Sequence, residues 1–334
     1  MDRTEIINRV YIFPHTKNME MNKQEIVETL RKNLSGIADV ALMPSIHQGI
    51  ESDWSLSIMP NEGEQAHETL GRIFKIDIPD WKEKFNEATF GQGNEINRIL
   101  TLHSSALLAL LCFSHVSEEN PLFIDGIRYN ERWFEIKNKV FNKPSSIDVV
   151  LKNTDGDILF IESKFTEYLD KESPNIKIAY FDTYRKLLPL IPNRPLQLVF
   201  PKIFKEDGVE MVGFTIQPTS KSKIYNQLYL SGIKQCISHL IGIANGPVEP
   251  EEKCWGGIDV KKIRFATICY RIPSDQFNAY RSFYAKTIGQ FNAPSIKNFF
   301  QNRVSVIGKI LTYQEIFKKG TFKLPREIRT FLDL

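Results

Sequence analysis

Long apolar runs are missing from this chain of 334 residues: the longest, Ala106 to Phe113, is far shorter than the roughly 20 residues that span a bilayer. The N-terminus, Met1-Asp2-Arg3-Thr4-Glu5, lacks an apolar core of signal length. The expectation is a soluble, cytoplasmic protein with no membrane partner. Cysteine is scarce. The four present, Cys112, Cys236, Cys254 and Cys269, are widely scattered with no CxxC pair, which argues against structural zinc and for buried thiols in a reducing compartment. No block of like charge, low-complexity tract or internal repeat interrupts the sequence. A net charge of +3 is no nucleic-acid signature, although an average says little about local patches. His15, His47 and His67 have no ligand spacing and are expected in loops or on the surface. What the composition does supply is 42% hydrophobic residues, enough for a large core in one elaborated domain or two.

The chemistry is concentrated in two β-runs, Ile147-Asp148-Val149-Val150-Leu151 and Ile158-Leu159-Phe160-Ile161-Glu162-Ser163-Lys164, separated by the turn residues Asn153 to Asp157. Side chains alternate along a strand, so Glu162 and Lys164 share one face while Leu159, Ile161 and Ser163 take the other. Paired as a hairpin, the runs bring Asp148 beside Glu162. Two carboxylates can then hold Mg²⁺, with the lysine steadying an attacking water or the charge that builds on a phosphate. Glu-x-Lys alone has little specificity. The chain offers a second copy in Glu135-Ile136-Lys137, with Asp125 upstream. That copy ranks second because it lacks the long apolar run of a buried central strand. Arg132 to Val140 is instead expected to be the preceding strand of the same sheet, with Glu135 and Lys137 as solvated or neighbouring charges. The competing reading of Asp148, Glu162 and Lys164 is an edge hairpin with an exposed ion pair.

The turn decides whether the site can exist. A two-residue Asp155-Gly156 turn would set Asp148 opposite Ser163, on the wrong face, because facing residues share a side of the sheet. Asp148 joins Glu162 and Lys164 only if facing residue numbers sum to an even number, which requires a three- or five-residue loop around Thr154 to Asp157, or a bulge near Asp148.

Elsewhere the pattern predicts a helix over Asn22 to Asn33 and a long helix from Glu95 to about His115, opened by Gly91-Gln92-Gly93-Asn94. His103, Ser104 and Ser105 lack a nucleophile elbow and are assigned to packing of that helix on the sheet. Further helices are expected over Ile176 to Leu190 and Tyr225 to Ala244, and strands over Leu196 to Phe200 and Ile263 to Ile272, the last with a half-exposed face marked by Arg264. Gln235 and His239, four apart, share a helix face. His239 is assigned a structural role. The stretch Asp275 to Leu334 is basic and helical in flavour, and its cations suit either phosphate contacts or a solvated face.

Three further stretches carry a family resemblance: Gly91 to Glu95, His103 to Leu108, and Glu162 to Phe165 followed by Glu167-Tyr168-Leu169. With the Asp148 segment, they resemble the PD-(D/E)xK superfamily of nucleases, and within it a bacterial group of restriction-endonuclease-like proteins. The match sits mainly in residues 90 to 170. Ser146-Ile147-Asp148 stands where the motif has a literal Pro-Asp pair. The resemblance implies an α/β protein with a restriction-endonuclease-like core, a mixed central β-sheet flanked by helices, and N- and C-terminal elaborations. Residues 1–80 would be an accessory region, 81–273 the nuclease core, and 274–334 a basic helical region. It implies Asp148, Glu162 and Lys164 as catalytic residues, Glu95 as a further acidic ligand and Gln235 as a polar group near the scissile phosphate. Asp148, Glu162, Glu95 and the Ser163 carbonyl would ligate Mg²⁺, or Mn²⁺ in its place. The implied activity is hydrolysis of DNA phosphodiesters in restriction or defence, with DNA as partner and a homodimer as candidate assembly. Two alternatives stand beside it: a catalytically silent nuclease fold that binds DNA or protein, and a metal-free α/β protein whose hairpin charges are structural.

Overall fold

The computed structural model describes residues 23–47, 50–76, 99–140, 143–170, 174–206, 208–246, 262–317 and 322–334. Helix α1 (Lys23–Ser35) buries Ile26, Val27, Leu30 and Leu34, a helical-period stripe, and precedes the hairpin β1 (Leu42–His47) and β2 (Ile50–Ile58). Helix α2 (Ala66–Phe74) starts where the Glu68 carboxylate accepts the Gln65 N–H at 2.7 Å. Helix α3 (Ser105–Phe113) follows, capped by the Ser104 hydroxyl, which accepts the Ala106 N–H. Next come β3 (Leu122–Ile124), β4 (Ile127–Tyr129), β5 (Glu131–Val140), β6 (Lys143–Lys152) and β7 (Asp157–Lys164). Strand β8 (Asn175–Lys177), helix α4 (Phe181–Leu187), β9 (Leu196–Glu206) and β10 (Val209–Pro218) lead to helix α5 (Leu230–Asn245) and β11 (Lys262–Cys269). The chain closes with α6 (Asp275–Lys286), α7 (Pro294–Phe299), β12 (Val304–Val306), β13 (Leu311–Thr312), α8 (Tyr313–Phe317) and α9 (Arg326–Leu332).

The protein is a mixed α/β structure organised on a six-stranded sheet of order β12-β11-β7-β6-β5, with β13 also on β11. Strands β5, β6 and β7 pair antiparallel, whereas β11 runs parallel to β7, β12 and β13. Helix α3 covers one face at β6 and β7, and α5 covers the other across β5 and β6. Covered on both sides, β7 is buried from Ile158 to Lys164, as expected of the central strand. Because β12 and β13 complete this sheet, a boundary after residue 273 runs through it. The N-terminal elements are tied to the C-terminal end: Asn33 donates to the Phe331 carbonyl and the Phe74 and Phe331 rings lie 5.2 Å apart. No described helix is long and apolar enough to cross a membrane.

Four expectations are corrected. The helix placed from Glu95 to His115 begins at Ser105 within the described residues, because Thr101 bridges to Ser57 and Ser104 caps the next turn; Glu95 and Gly91 to Asn94 lie outside those residues. Ile176 lies in a strand, not a helix, pairing with Phe214 of β10, and α4 starts at Phe181. Gly213 permits this close pairing, since a Cβ there would lie 2.5 Å from the Ile176 carbonyl oxygen. Leu196 to Phe200 is a strand, but of a separate three-stranded sheet of order β8-β10-β9. Strand β11 has no half-exposed face over its final six residues, and Arg264 is buried, donating to the Tyr129 hydroxyl. In the basic C-terminal stretch, Arg303 and Arg329 donate to backbone carbonyls of Ala244, Phe317 and Phe322, so part of its charge is bound into the fold.

The β6–β7 turn has the even register. Val149 faces Ile161, Val150 faces Phe160, Leu151 faces Leu159 and Lys152 faces Ile158. Asn153 donates from its backbone to the Asp157 carbonyl at 3.2 Å, leaving Thr154, Asp155 and Gly156 as a three-residue loop. The Asn153 side chain accepts the N–H groups of Asp155 and Asp157, and Gly156 sits at φ +86°. A left-handed residue strains any side chain with a Cβ, by roughly 1–2 kcal/mol. Gly156→Ala is therefore expected to lower the unfolding free energy by about that amount, and Gly156→Asn by less, in urea denaturation. Equal losses would mean that backbone conformation does not hold this turn.

Candidate functional site

Continued one step past the last pair, Val149 and Ile161, the even register sets Asp148 against Glu162, on the face that Lys164 shares. At this point the ladder parts. The Ser163 N–H, whose place in the alternation is a backbone bond to β6, is taken by Asp148 Oδ2 at 2.7 Å. One strand further on, Phe134 faces Val149 and Ile136 faces Ile147, which sets Glu135 at the level of Asp148. Glu135 has φ +54°, a left-handed conformation that costs a non-glycine residue roughly 1–3 kcal/mol and concentrates at functional sites. Glu135, Asp148 and Glu162 thus form a row across β5, β6 and β7. The Glu135-Ile136-Lys137 segment is indeed the preceding strand, and its acid borders the site.

Lys164 Nζ lies 2.7 Å from Glu162 Oε1, and His239 Nε2 of α5 lies 2.8 Å from Glu162 Oε2. Both partners of the Glu162–Lys164 pair are buried, with side chains 2% and 6% exposed. The pair is no exposed edge contact. Burial works to raise the Glu162 carboxyl, but Lys164 and then His239 overcome it and hold it at about 2. Burial works equally against the Lys164 ammonium, yet Glu162, Glu167, Tyr229 and Asp148 outweigh it and place the amine well above its ordinary value. Asp148 goes the opposite way. Burial first, then Glu162 and Glu135, push its carboxyl well above the carboxylate range, against Lys164 and the Ser163 N–H.

On the other face of β7, the Ser163 hydroxyl donates to the Ser105 carbonyl and bonds the Tyr313 hydroxyl at 2.7 Å, so this side chain anchors the sheet to α3 and α8. His103 packs on the Trp54 ring, and burial lowers it to about 4. Gln235 lies one turn before His239, and its side-chain oxygen is buried without a hydrogen-bond partner. His239, assigned to structure from sequence, makes the direct contact with Glu162. Its ring is held in turn by Ser145, whose hydroxyl lies 2.5 Å from Nδ1. The shared face of Gln235 and His239 was visible in the spacing, but nothing local to α5 distinguished which of the two reaches β7.

The donor set suits a hard divalent cation. Mg²⁺ is commonly held by one or two carboxylates, with waters and substrate phosphate completing its shell. Asp148 and Glu162 would supply two; Asp148 is raised first by burial and then by repulsion from Glu162 and Glu135, which a cation would offset. Among the described residues no group of three or more His, Cys, Asp or Glu side chains is assembled around a metal position, and both Glu162 oxygens already have partners. Comparison with known proteins finds no matching family model, no matching curated protein and no matching solved structure.

These environments split the expected effects of substitution. Without metal, Asp148→Asn should leave the melting temperature level or raise it, because it removes a charge disfavoured by burial and by two neighbouring acids. Glu162→Ala strands a buried ammonium and should cost about 3–5 kcal/mol. The Glu162 contribution is complete above its unfolded value of 4.5 and is lost as pH falls toward about 2, so Glu162→Gln should flatten stability across that window. Unchanged acid unfolding in Glu162→Gln would show that the pair does not stabilise the fold.

Proposed function

We propose that the protein is a metal-dependent nuclease that hydrolyses DNA phosphodiester bonds, built on a restriction-endonuclease-like core. The observation that carries the reading is the register of the β6–β7 hairpin, with Asp148 opposite Glu162 and Lys164 on the same face. Asp148 and Glu162 would hold Mg²⁺ or Mn²⁺, and the Ser163 carbonyl and Glu95 are the further ligands the motif implies. The ion supplies polarisation of the phosphoryl group and a water of lowered pKa.

Lys164 keeps its proton through its acidic neighbours, so it acts as a fixed positive charge and not as the general base. Held by Glu162, its ammonium orients the attacking water and stabilises charge building on the phosphate. Glu162 is flanked by a nitrogen at each oxygen, Lys164 Nζ at Oε1 and His239 Nε2 at Oε2. Restriction or defence against foreign DNA is the setting that the sequence resemblance favours.

One observation favours a second reading. Both Glu162 oxygens are engaged by groups of the protein, an arrangement that also suits a catalytically silent fold binding DNA or protein. Plasmid incubated with the purified chain and Mg²⁺ or Mn²⁺ separates the two. Cleavage by the parent, with at least a hundredfold loss in Asp148→Asn and Lys164→Ala and unchanged circular dichroism, is the expected result. Cleavage retained in both variants would remove the assignment, and tight DNA binding without cleavage by the parent would favour the silent module.

A further inference from the structure

The contact between α5 and the central strand has no counterpart in the motif that suggested the site. His239 Nε2 meets Glu162 Oε2 at 2.8 Å and His239 Nδ1 meets the Ser145 hydroxyl at 2.5 Å. Three elements, β6, β7 and α5, therefore converge on one imidazole. Nε2 faces the Glu162 carboxylate in a close contact, and Nδ1 shares a hydrogen bond with the Ser145 hydroxyl. The ring is buried at 6% exposure and packs near Phe265 of β11, so its position is set by packing as well as by hydrogen bonds. A carboxylate oxygen has two lone-pair directions. Lys164 lies against Oε1 and His239 against Oε2, so the carboxylate is flanked at both oxygens.

Resting on the nuclease reading of the site, we propose that His239, held by Ser145, is a positioning residue that aligns Glu162 for cation binding. Partners of this kind, which hold a ligand without touching the metal, typically change metal affinity by about 10–100-fold when removed. Nothing in the arrangement requires His239 to leave Glu162 when the cation arrives, because one lone pair on each oxygen stays available.

The test exploits the two ends of the ring. Glutamine places its amide near Nε2 and keeps a donor for Glu162, whereas asparagine places its amide near Nδ1 and loses that donor. Mn²⁺ alone is titrated by calorimetry into the parent, His239→Gln, His239→Asn and Ser145→Ala, each checked by thermal melting. The expected result is near-parental affinity in His239→Gln and at least a tenfold loss in His239→Asn, with an intermediate loss in Ser145→Ala. A structural role alone would lower the melting temperature of both His239 variants without separating their affinities. If His239→Asn fails to fold, Ser145→Ala decides, because it releases the ring without removing it. Parental Mn²⁺ affinity in Ser145→Ala and in every folded His239 variant overturns the positioning role and leaves the nuclease reading standing. Absence of Mn²⁺ binding in the parent overturns both.

Discussion

Parity of a single hairpin governs this site. Facing residues of a sheet share a side, so a one-residue difference in the loop between β6 and β7 would send Asp148 to the face occupied by Ser163 and α3. The three-residue loop closed by Asn153 and Gly156 sets the even register, and everything polar about the site follows from it. The apolar members of the same strands then fall into place. Val149 and Ile161 face the α3 side, while Val150 and Phe160 lie on the side with Asp148 and Glu162. A loop at the far end of the strands thus controls which carboxylates meet about five residues away.

That register brings charge into the middle of a buried strand, which is costly. Removing an ammonium and a carboxylate from water carries a penalty of several kcal/mol for each, and their mutual attraction offsets it only with good geometry and further hydrogen bonds. Glu162 has a short contact at each oxygen, Lys164 at Oε1 and His239 at Oε2. Asp148 has less. Its one described hydrogen bond comes from the Ser163 N–H, and its neighbours include two acids. A well-packed apolar pair would serve a purely structural strand at least as well. Two acids and a lysine stand there instead, beside Glu135 in a left-handed conformation.

Much of this arrangement was legible in the sequence, because strand alternation and turn counting are local rules. Glu162 and Lys164 on one face, β7 as the central strand and β5 as its second neighbour came from period, and parity reduced the turn to an odd-length loop or a bulge near Asp148, of which the loop is found. What escaped was non-local. Strands β12 and β13 are only three and two residues long, and their apolar character shows no period of its own; the long strand β11 recruits them to the sheet. Arg264 read as exposed because it is charged, yet Tyr129 from a hairpin more than a hundred residues earlier covers it. The helix start near Glu95 followed from a good capping sequence, but Ser104 supplied a second cap and Thr101 a bridge to Ser57, which together end any helix before Ser105. His239 was assigned to packing for a related reason: its partner lies on another element, and only the fold supplies the distance.

The asymmetry between the two carboxylates gives the site its direction. Glu162 is already neutralised by the protein, so a cation gains little from it alone. Asp148 has its ionised form disfavoured, first by burial and then by Glu162 and Glu135. On the nuclease reading, Asp148 and Glu162 would hold the ion, which would favour the ionised form of Asp148. Its acidic neighbours hold the Lys164 amine well above its ordinary value, and on the nuclease reading it would serve as a fixed positive charge beside the phosphate. A purely structural ion pair would have no need of Asp148 at all, and would be more stable with an asparagine in its place.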